Sequence, residues 1–173
     1  YSAYRGKATT AEIPKKYSVG RGSLRRLQTL ADGWMVRGTV SFQHSSSDLL
    51  PTGEYFFLGG EGSVRGYPVG AFSGDRGTLL SLELFHPLVS PTESAAGGFG
   101  ATGFLFLDQG KVRTVRPPES TLPASQSLRS VGWGAQMALG KQVSAKVTLA
   151  YALTKLPEDP KRFSVKLQLN GQF

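Results

Sequence analysis

The last eleven residues, Phe163-Ser164-Val165-Lys166-Leu167-Gln168-Leu169-Asn170-Gly171-Gln172-Phe173, alternate without a break. Phe163, Val165, Leu167, Leu169 and Phe173 share one face with Gly171. Ser164, Lys166, Gln168, Asn170 and Gln172 share the other. A two-residue period of this kind specifies a β-strand with one apolar and one polar side. The same period recurs upstream. Residues 34–43 set Trp34, Val36, Gly38, Val40 and Phe42 against Met35, Arg37, Thr39, Ser41 and Gln43. Residues 78–88 set Leu80, Leu82 and Leu84 against Ser81, Glu83 and Phe85. Residues 131–139 set Val131, Trp133, Ala135, Met137 and Leu139 against Gly132, Gly134, Gln136 and Ala138. Residues 145–153 set Ala145, Val147, Leu149, Tyr151 and Leu153 against Lys146, Thr148, Ala150 and Ala152. Less regular strands at 54–58 and 101–110, with an eighth at 23–30, complete the set. No stretch holds a 3.6-residue period over three turns, so the chain reads as all-β.

Composition narrows what such strands build. The chain has 173 residues, enough for one domain, and shows no internal repeat or domain boundary. With no cysteine, disulfide scaffolds, Cys-ligated metals and thiol chemistry are excluded. The net charge of +8 raises the question of nucleic acid, but the basic residues are scattered or paired (Lys15-Lys16, Arg25-Arg26, Lys161-Arg162). That pattern argues against a nucleic-acid footprint. The longest apolar run is of the order of Phe104-Leu105-Phe106-Leu107, far short of the roughly 20 residues of a spanning helix. The start, Tyr1-Ser2-Ala3-Tyr4-Arg5, lacks a Met and a signal peptide's apolar core, and reads as the interior of a longer chain.

A soluble barrel turns its apolar faces inward, and a membrane barrel turns them outward to lipid. Three features favour the membrane arrangement. The polar faces carry small residues and amides, not the Lys and Glu of a solvated surface. Aromatic residues at Trp34, Phe42, Trp133, Tyr151, Phe163 and Phe173 are placed as interfacial girdles. Tight connections (31–33, 140–142) interleave with longer ones (90–98, 113–128), as in a meander crossing a bilayer.

One segment stands outside the alternation: Leu58-Gly59-Gly60-Glu61-Gly62-Ser63-Val64-Arg65-Gly66-Tyr67, followed by Gly74-Asp75-Arg76-Gly77. Its glycines allow the backbone to pass through a confined space, with a single guanidinium at the tip. A cation in a water-poor lumen requires a carboxylate. The period places two there: Glu83, between Ser81 and Phe85, and Asp108 in Phe106-Leu107-Asp108-Gln109-Gly110.

These residues carry a resemblance. Val64-Arg65-Gly66-Tyr67 resembles the loop-tip motif of the superfamily of polypeptide-transporting and barrel-assembling outer-membrane proteins, and Phe106-Leu107-Asp108-Gln109-Gly110 matches its Phe-x-Asp-x-Gly strand motif. Leu-Gly-Gly before the tip and Gly-Asp-Arg-Gly after it resemble the two-partner secretion transporters of the haemolysin-activator and filamentous-haemagglutinin type. The resemblance covers about residues 20–173. It implies about the last eight strands of a sixteen-stranded antiparallel transmembrane β-barrel in the bacterial outer membrane. Residues 1–20 would be a loop or partial strand, and 59–76 a loop folded into the lumen. The family's POTRA domains and plug helix are absent from this sequence. The implied function is ATP-independent secretion of an unfolded partner exoprotein, with no enzyme activity, cofactor or metal. Arg65 would be clamped by Asp108 and Glu83. The partners would be the exoprotein, outer-membrane lipid and, during biogenesis, the barrel-assembly machinery. Two other readings share these features: a barrel-assembly or insertase relative, and the translocator barrel of an autotransported enzyme.

Other motifs carry less. Gly98-Phe99-Gly100-Ala101-Thr102-Gly103 matches a dinucleotide fingerprint in letters, but a strand follows it where that fingerprint needs a helix. His44 and His86, the only histidines, lack metal-ligand spacing and read as interfacial or loop residues. No nucleophile elbow or Ser/His/Asp constellation occurs.

The terminal Phe173 resembles the C-terminal signal that barrel-assembly machinery reads. Deleting it should sharply lower outer-membrane levels in cells while refolding into detergent is retained, as checked by membrane fractionation beside in-vitro refolding.

Overall fold

The computed structural model describes residues 16–46, 50–90, 98–114, 124–140, 142–156 and 161–171. Among the described residues there are nine strands: β1 Val19–Thr29, β2 Met35–Ser45, β3 Phe56–Leu58, β4 Phe72–Gly74, β5 Arg76–Val89, β6 Phe99–Arg113, β7 Ser125–Leu139, β8 Val143–Ala152 and β9 Phe163–Gly171. Seven of them form one antiparallel sheet in the order β1-β2-β5-β6-β7-β8-β9. Each long strand pairs with the next along the chain, the up-and-down connectivity of a barrel wall. Among the described residues the sheet is not closed: β1 and β9 form its two edges.

The count differs from the eight strands read from the sequence. The segment at 54–58 contributes only Phe56–Leu58, which pairs with β4 in a separate two-stranded ribbon. Its alternation belongs to the stem of the glycine loop and not to the wall. Other strands run past their apolar stretches, β6 to Arg113 and β7 back to Ser125. Pairing continues there through polar residues, because ladder hydrogen bonds do not depend on side-chain hydropathy. Trp133 consequently lies mid-strand in β7 and not at its end, although it faces outward.

The β1–β2 turn, Ala31–Gly33, uses left-handed backbone at Asp32 (φ 55°) and Gly33 (φ 76°). This turn and the β7–β8 turn lie at one end of the sheet. β2 and β6 end, and β5 and β7 begin, at the other, from which the longer connections 46–75 and 114–124 start; this is the long-loop end. β5 ends and β6 begins at the tight-turn end, since Met35 at the start of β2 stands opposite Phe85 near the end of β5, and Val89 opposite Ala101; the longer connection read at 90–98 thus starts from that end. Residues 1–15 and Phe173 lie outside the described residues, and the first strand begins at Val19.

The two faces separate as the period requires. Leu80, Leu82, Leu105, Leu107, Trp133, Val165, Leu167 and Leu169 are exposed on the outer face. Gln43, Glu83, Asp108, Ser130 and Thr148 are buried on the inner one. The inner face is not uniformly polar. Phe85, Phe104, Phe106 and Ala150 form one apolar cluster. Leu79, Val112, Leu128 and Ala152 form a second, which is completed by Leu58, Val64 and Tyr67 of the glycine loop.

An apolar outer face in lipid implies asymmetric tolerance of charge. Leu167→Arg on β9 should destabilise the folded protein by about 2–4 kcal/mol if it lies near the midplane, whereas Gln168→Arg should be close to neutral. Urea unfolding in lipid vesicles measures both, and equal effects would contradict the facing.

Candidate functional site

The site is built by the loop between β3 and β4. Gly60 N–H donates to the Tyr67 carbonyl (3.1 Å) and Ser63 N–H to the Gly60 carbonyl (3.1 Å), which draws the tip into a compact turn. The tip lies against the inner face. Val64 is fully buried, Arg65 is 4% exposed and Tyr67 is buried. Gly66 has φ 89°, and a Cβ there would also meet the Ala150 Cβ at 3.1 Å. Only glycine combines that backbone with so close an approach to β8.

Arg65 is bound on every side. Its Nε and Nη2 donate to Asp108 Oδ2 and Oδ1, each at 2.7 Å, a forked contact of two parallel bonds. Its Nη1 donates to Glu83 Oε1 at 2.8 Å. Its backbone N–H also reaches Asp108 Oδ2 at 3.1 Å. Ser81 Oγ donates to Asp108 Oδ1 at 2.7 Å and accepts from Arg65 Nη2 at 3.2 Å. The guanidinium carbon lies 3.7 Å from the centre of the Phe106 ring, close enough for a cation–π contact. Burial acts to lower the Arg65 pKa, but hydrogen bonds and attraction from Asp108, then Glu83, outweigh it and hold the pKa above its ordinary value.

The two acids reach the tip through strand register. Ser81 stands directly opposite Asp108, and Glu83 opposite Phe106. On the inner face of β5 and β6 this yields a square of Ser81, Glu83, Phe106 and Asp108 for the guanidinium to cover. Gly110, the last residue of the strand motif, has a steric role. A Cβ on it would come within 2.5 Å of Leu58 Cδ2 and 2.9 Å of Val64 Cγ2, so glycine leaves room for the loop.

Two features of the site escape the sequence reading. Arg37 on β2 donates through Nε to Glu83 Oε2 at 2.7 Å, and its guanidinium carbon stacks 4.8 Å from the Phe85 ring centre. Register explains the pairing, because Arg37 and Glu83 are directly opposite. The signal was present as an inward Arg on 34–43, but neighbouring strands cannot be aligned without knowing the 46–75 connection. The second feature is how Tyr67, already read as part of the loop-tip motif, is anchored. Its hydroxyl accepts the Thr154 N–H at 2.9 Å and donates to the Arg129 carbonyl at 2.6 Å, with the Thr154 carbonyl at 3.0 Å as alternative. Tyr67 thus ties the tip to the ends of β7 and β8.

Beside the tip a cavity of about 260 Å³ is lined by Arg25, Arg37, Glu61, Ser63, Arg65 and Lys146 among others. Among the described residues no cluster of His, Asp or Glu could hold a metal. His86 packs its ring 4.4 Å from that of Trp34, and His44 is exposed on β2. Gly98, Gly100 and Gly103 lead into and lie along β6, and no helix follows them.

The family model described as haemolysin secretion/activation protein ShlB/FhaC/HecB matches residues 3–137. Among solved structures, CdiB from Escherichia coli superposes with a TM-score of 0.69 at 24% sequence identity. The match covers 90% of this chain and 27% of CdiB, so the chain spans about a quarter of that structure. The likeness is one of fold. No curated protein sequence matches the chain.

Removing one partner of a buried pair strands the other's charge, at about 3–5 kcal/mol. Arg65→Ala and Asp108→Ala should each destabilise the folded protein by that order. The double variant should lose far less than their sum, since it leaves no stranded partner between them. Arg65→Lys should not restore the wild type, because an ammonium cannot make a forked contact. Chemical unfolding of the four variants checks the cycle.

Proposed function

We propose that this chain, which belongs to the haemolysin secretion/activation protein family of ShlB, FhaC and HecB, is part of an outer-membrane transporter that passes an unfolded partner exoprotein outward through the barrel lumen without ATP. The observation that carries this reading is the seating of Arg65, at 4% exposure, between Asp108 and Glu83 on the inner wall. A loop held inside the lumen by ion pairs narrows the path, and the same contacts can break and re-form as a chain passes.

In this mechanism the site regulates passage and makes or breaks no covalent bond. Val64, Arg65, Gly66 and Tyr67 form the movable side. Asp108 and Glu83, with Phe106 beneath the guanidinium and Gly110 giving clearance, form the fixed side. Substrate entry displaces the tip, and charge attraction returns it. The wall's outer face meets outer-membrane lipid. Insertion uses the barrel-assembly machinery, with Phe173 as its signal.

Proteoliposomes holding the full protein, given the unfolded exoprotein encoded beside its gene and no nucleotide, should accumulate protease-protected exoprotein. Arg65→Ala and Asp108→Ala should each reduce that protection strongly. Equal protection in empty liposomes, or a requirement for nucleotide, would overturn the reading.

A further inference from the structure

The seat of Arg65 belongs to the wall. The partners of its guanidinium, Asp108, Glu83, Ser81 and Phe106, all stand on β5 and β6. The wall fixes them by contacts in which the loop has no part. Ser81 Oγ donates to Asp108 Oδ1 at 2.7 Å, and Arg37 Nε donates to Glu83 Oε2 at 2.7 Å. The Phe106 ring reaches across Gly132 of β7, where a Cβ would come within 2.5 Å of its Cζ. Glycine at that position leaves the ring room to lie along the wall with its face to the guanidinium.

Withdrawal of the tip therefore empties the seat without dismantling it. The hydrogen bonds accepted by Asp108 Oδ2 and Glu83 Oε1 come from Arg65. Both acids are buried, and a buried carboxylate that loses its counter-charge is strongly unfavourable. In passage without ATP, contacts with the passing chain are what can offset that loss.

We infer that, when the tip is displaced, its seat binds an arginine side chain of the passing exoprotein, which takes the place of Arg65. The inference rests on the transport reading proposed above. Three acceptor oxygens, Asp108 Oδ2 and Oδ1 and Glu83 Oε1, are set to meet the Nε, Nη2 and Nη1 of a guanidinium over a ring face. An ammonium cannot fill that fork. A cavity of about 260 Å³ beside the tip is lined by Ser81 and Glu83 as well as Arg65, so an arriving side chain has room next to the seat. Arg25, Arg37 and Lys146 line the same cavity, so charge alone does not draw a cation there and the fork does the selecting. One guanidinium then exchanges for another, with the same bonds lost and made.

Two measurements test the exchange. In the first, the full Arg65→Ala protein is unfolded by urea in lipid vesicles with methylguanidinium at about 10 mM, about ten times a dissociation constant of about 1 mM for so small a ligand. The ratio of folded to unfolded protein should rise about tenfold. N-methylurea, its neutral counterpart, should give no rise, and methylguanidinium should give none with the wild type, whose seat is occupied. The second needs no loop variant and decides alone if Arg65→Ala does not fold. Proteoliposomes of the wild type receive the unfolded exoprotein with its arginines deiminated to citrulline. Its rate of becoming protease-protected should fall about tenfold, the equivalent of one charged hydrogen bond. Acetylating its lysines instead should change the rate little. No rise in folded Arg65→Ala, an equal rise with N-methylurea or in the wild type, an unchanged rate for the citrulline chain, or equal slowing by lysine acetylation would each overturn the inference. If the unmodified exoprotein crosses and one of these results is found, the inference alone falls. If the unmodified exoprotein is not protected at all, the transport reading falls with it.

Discussion

A guanidinium at 4% exposure has surrendered nearly all of its water, and the inner wall is arranged around that loss. Asp108 neutralises it through a fork, Glu83 takes its remaining nitrogen, and Ser81 and the Phe106 ring close the other sides. Arg37 then balances Glu83, so that two cations and two anions form a string across β2, β5, the loop and β6. Such a string offsets its own desolvation and yields little net stability. The favourable energy comes from beneath the loop. Leu58 and Val64 are fully buried against Leu79, Val112 and Leu128, each contributing about 1.5–3 kcal/mol. Apolar packing therefore sets how firmly the loop is held, and the ion pairs set where.

Much of this arrangement was legible in the sequence because a strand's period is an unambiguous ruler. The inward side of Glu83 and of Asp108 follows from counting by twos past Leu82 and Leu107. What the ruler does not measure is register between strands. The Arg37–Glu83 contact and the Tyr67 anchor at Arg129 and Thr154 depend on which residue stands opposite which, and that is decided by connections of unknown shape. Strand ends were hidden for another reason. Ser125 to Arg129 and Lys111 to Arg113 pair as strand while looking like loop, since backbone hydrogen bonding carries no trace in hydropathy. The segment at 54–58 shows the converse, where a short alternation resembles a wall strand but serves as the stem of a loop.

The inner face also departs from a simple water-filled lining. Its two apolar clusters would be costly to leave wet, and the loop covers one of them completely with Leu58, Val64 and Tyr67. The loop is accordingly a part of the wall in its packing, although it belongs to no strand of the main sheet.

The order of these parts along the chain has a consequence for assembly. Arg65 precedes Asp108 by 43 residues, and Tyr67 precedes Thr154 by 87. The tip is thus made before the surface it rests on, and its charge has no permanent home until β6 has paired with β5. Contacts of such sequence separation form late, after the loop-closure entropy has been met. Docking of the tip therefore depends on segments far along the chain, since its partners lie on β6 and beyond β8. A guanidinium with 4% exposure has no open route to the wall once packed, so the docking of the tip and the formation of the surface beneath it are coupled by geometry.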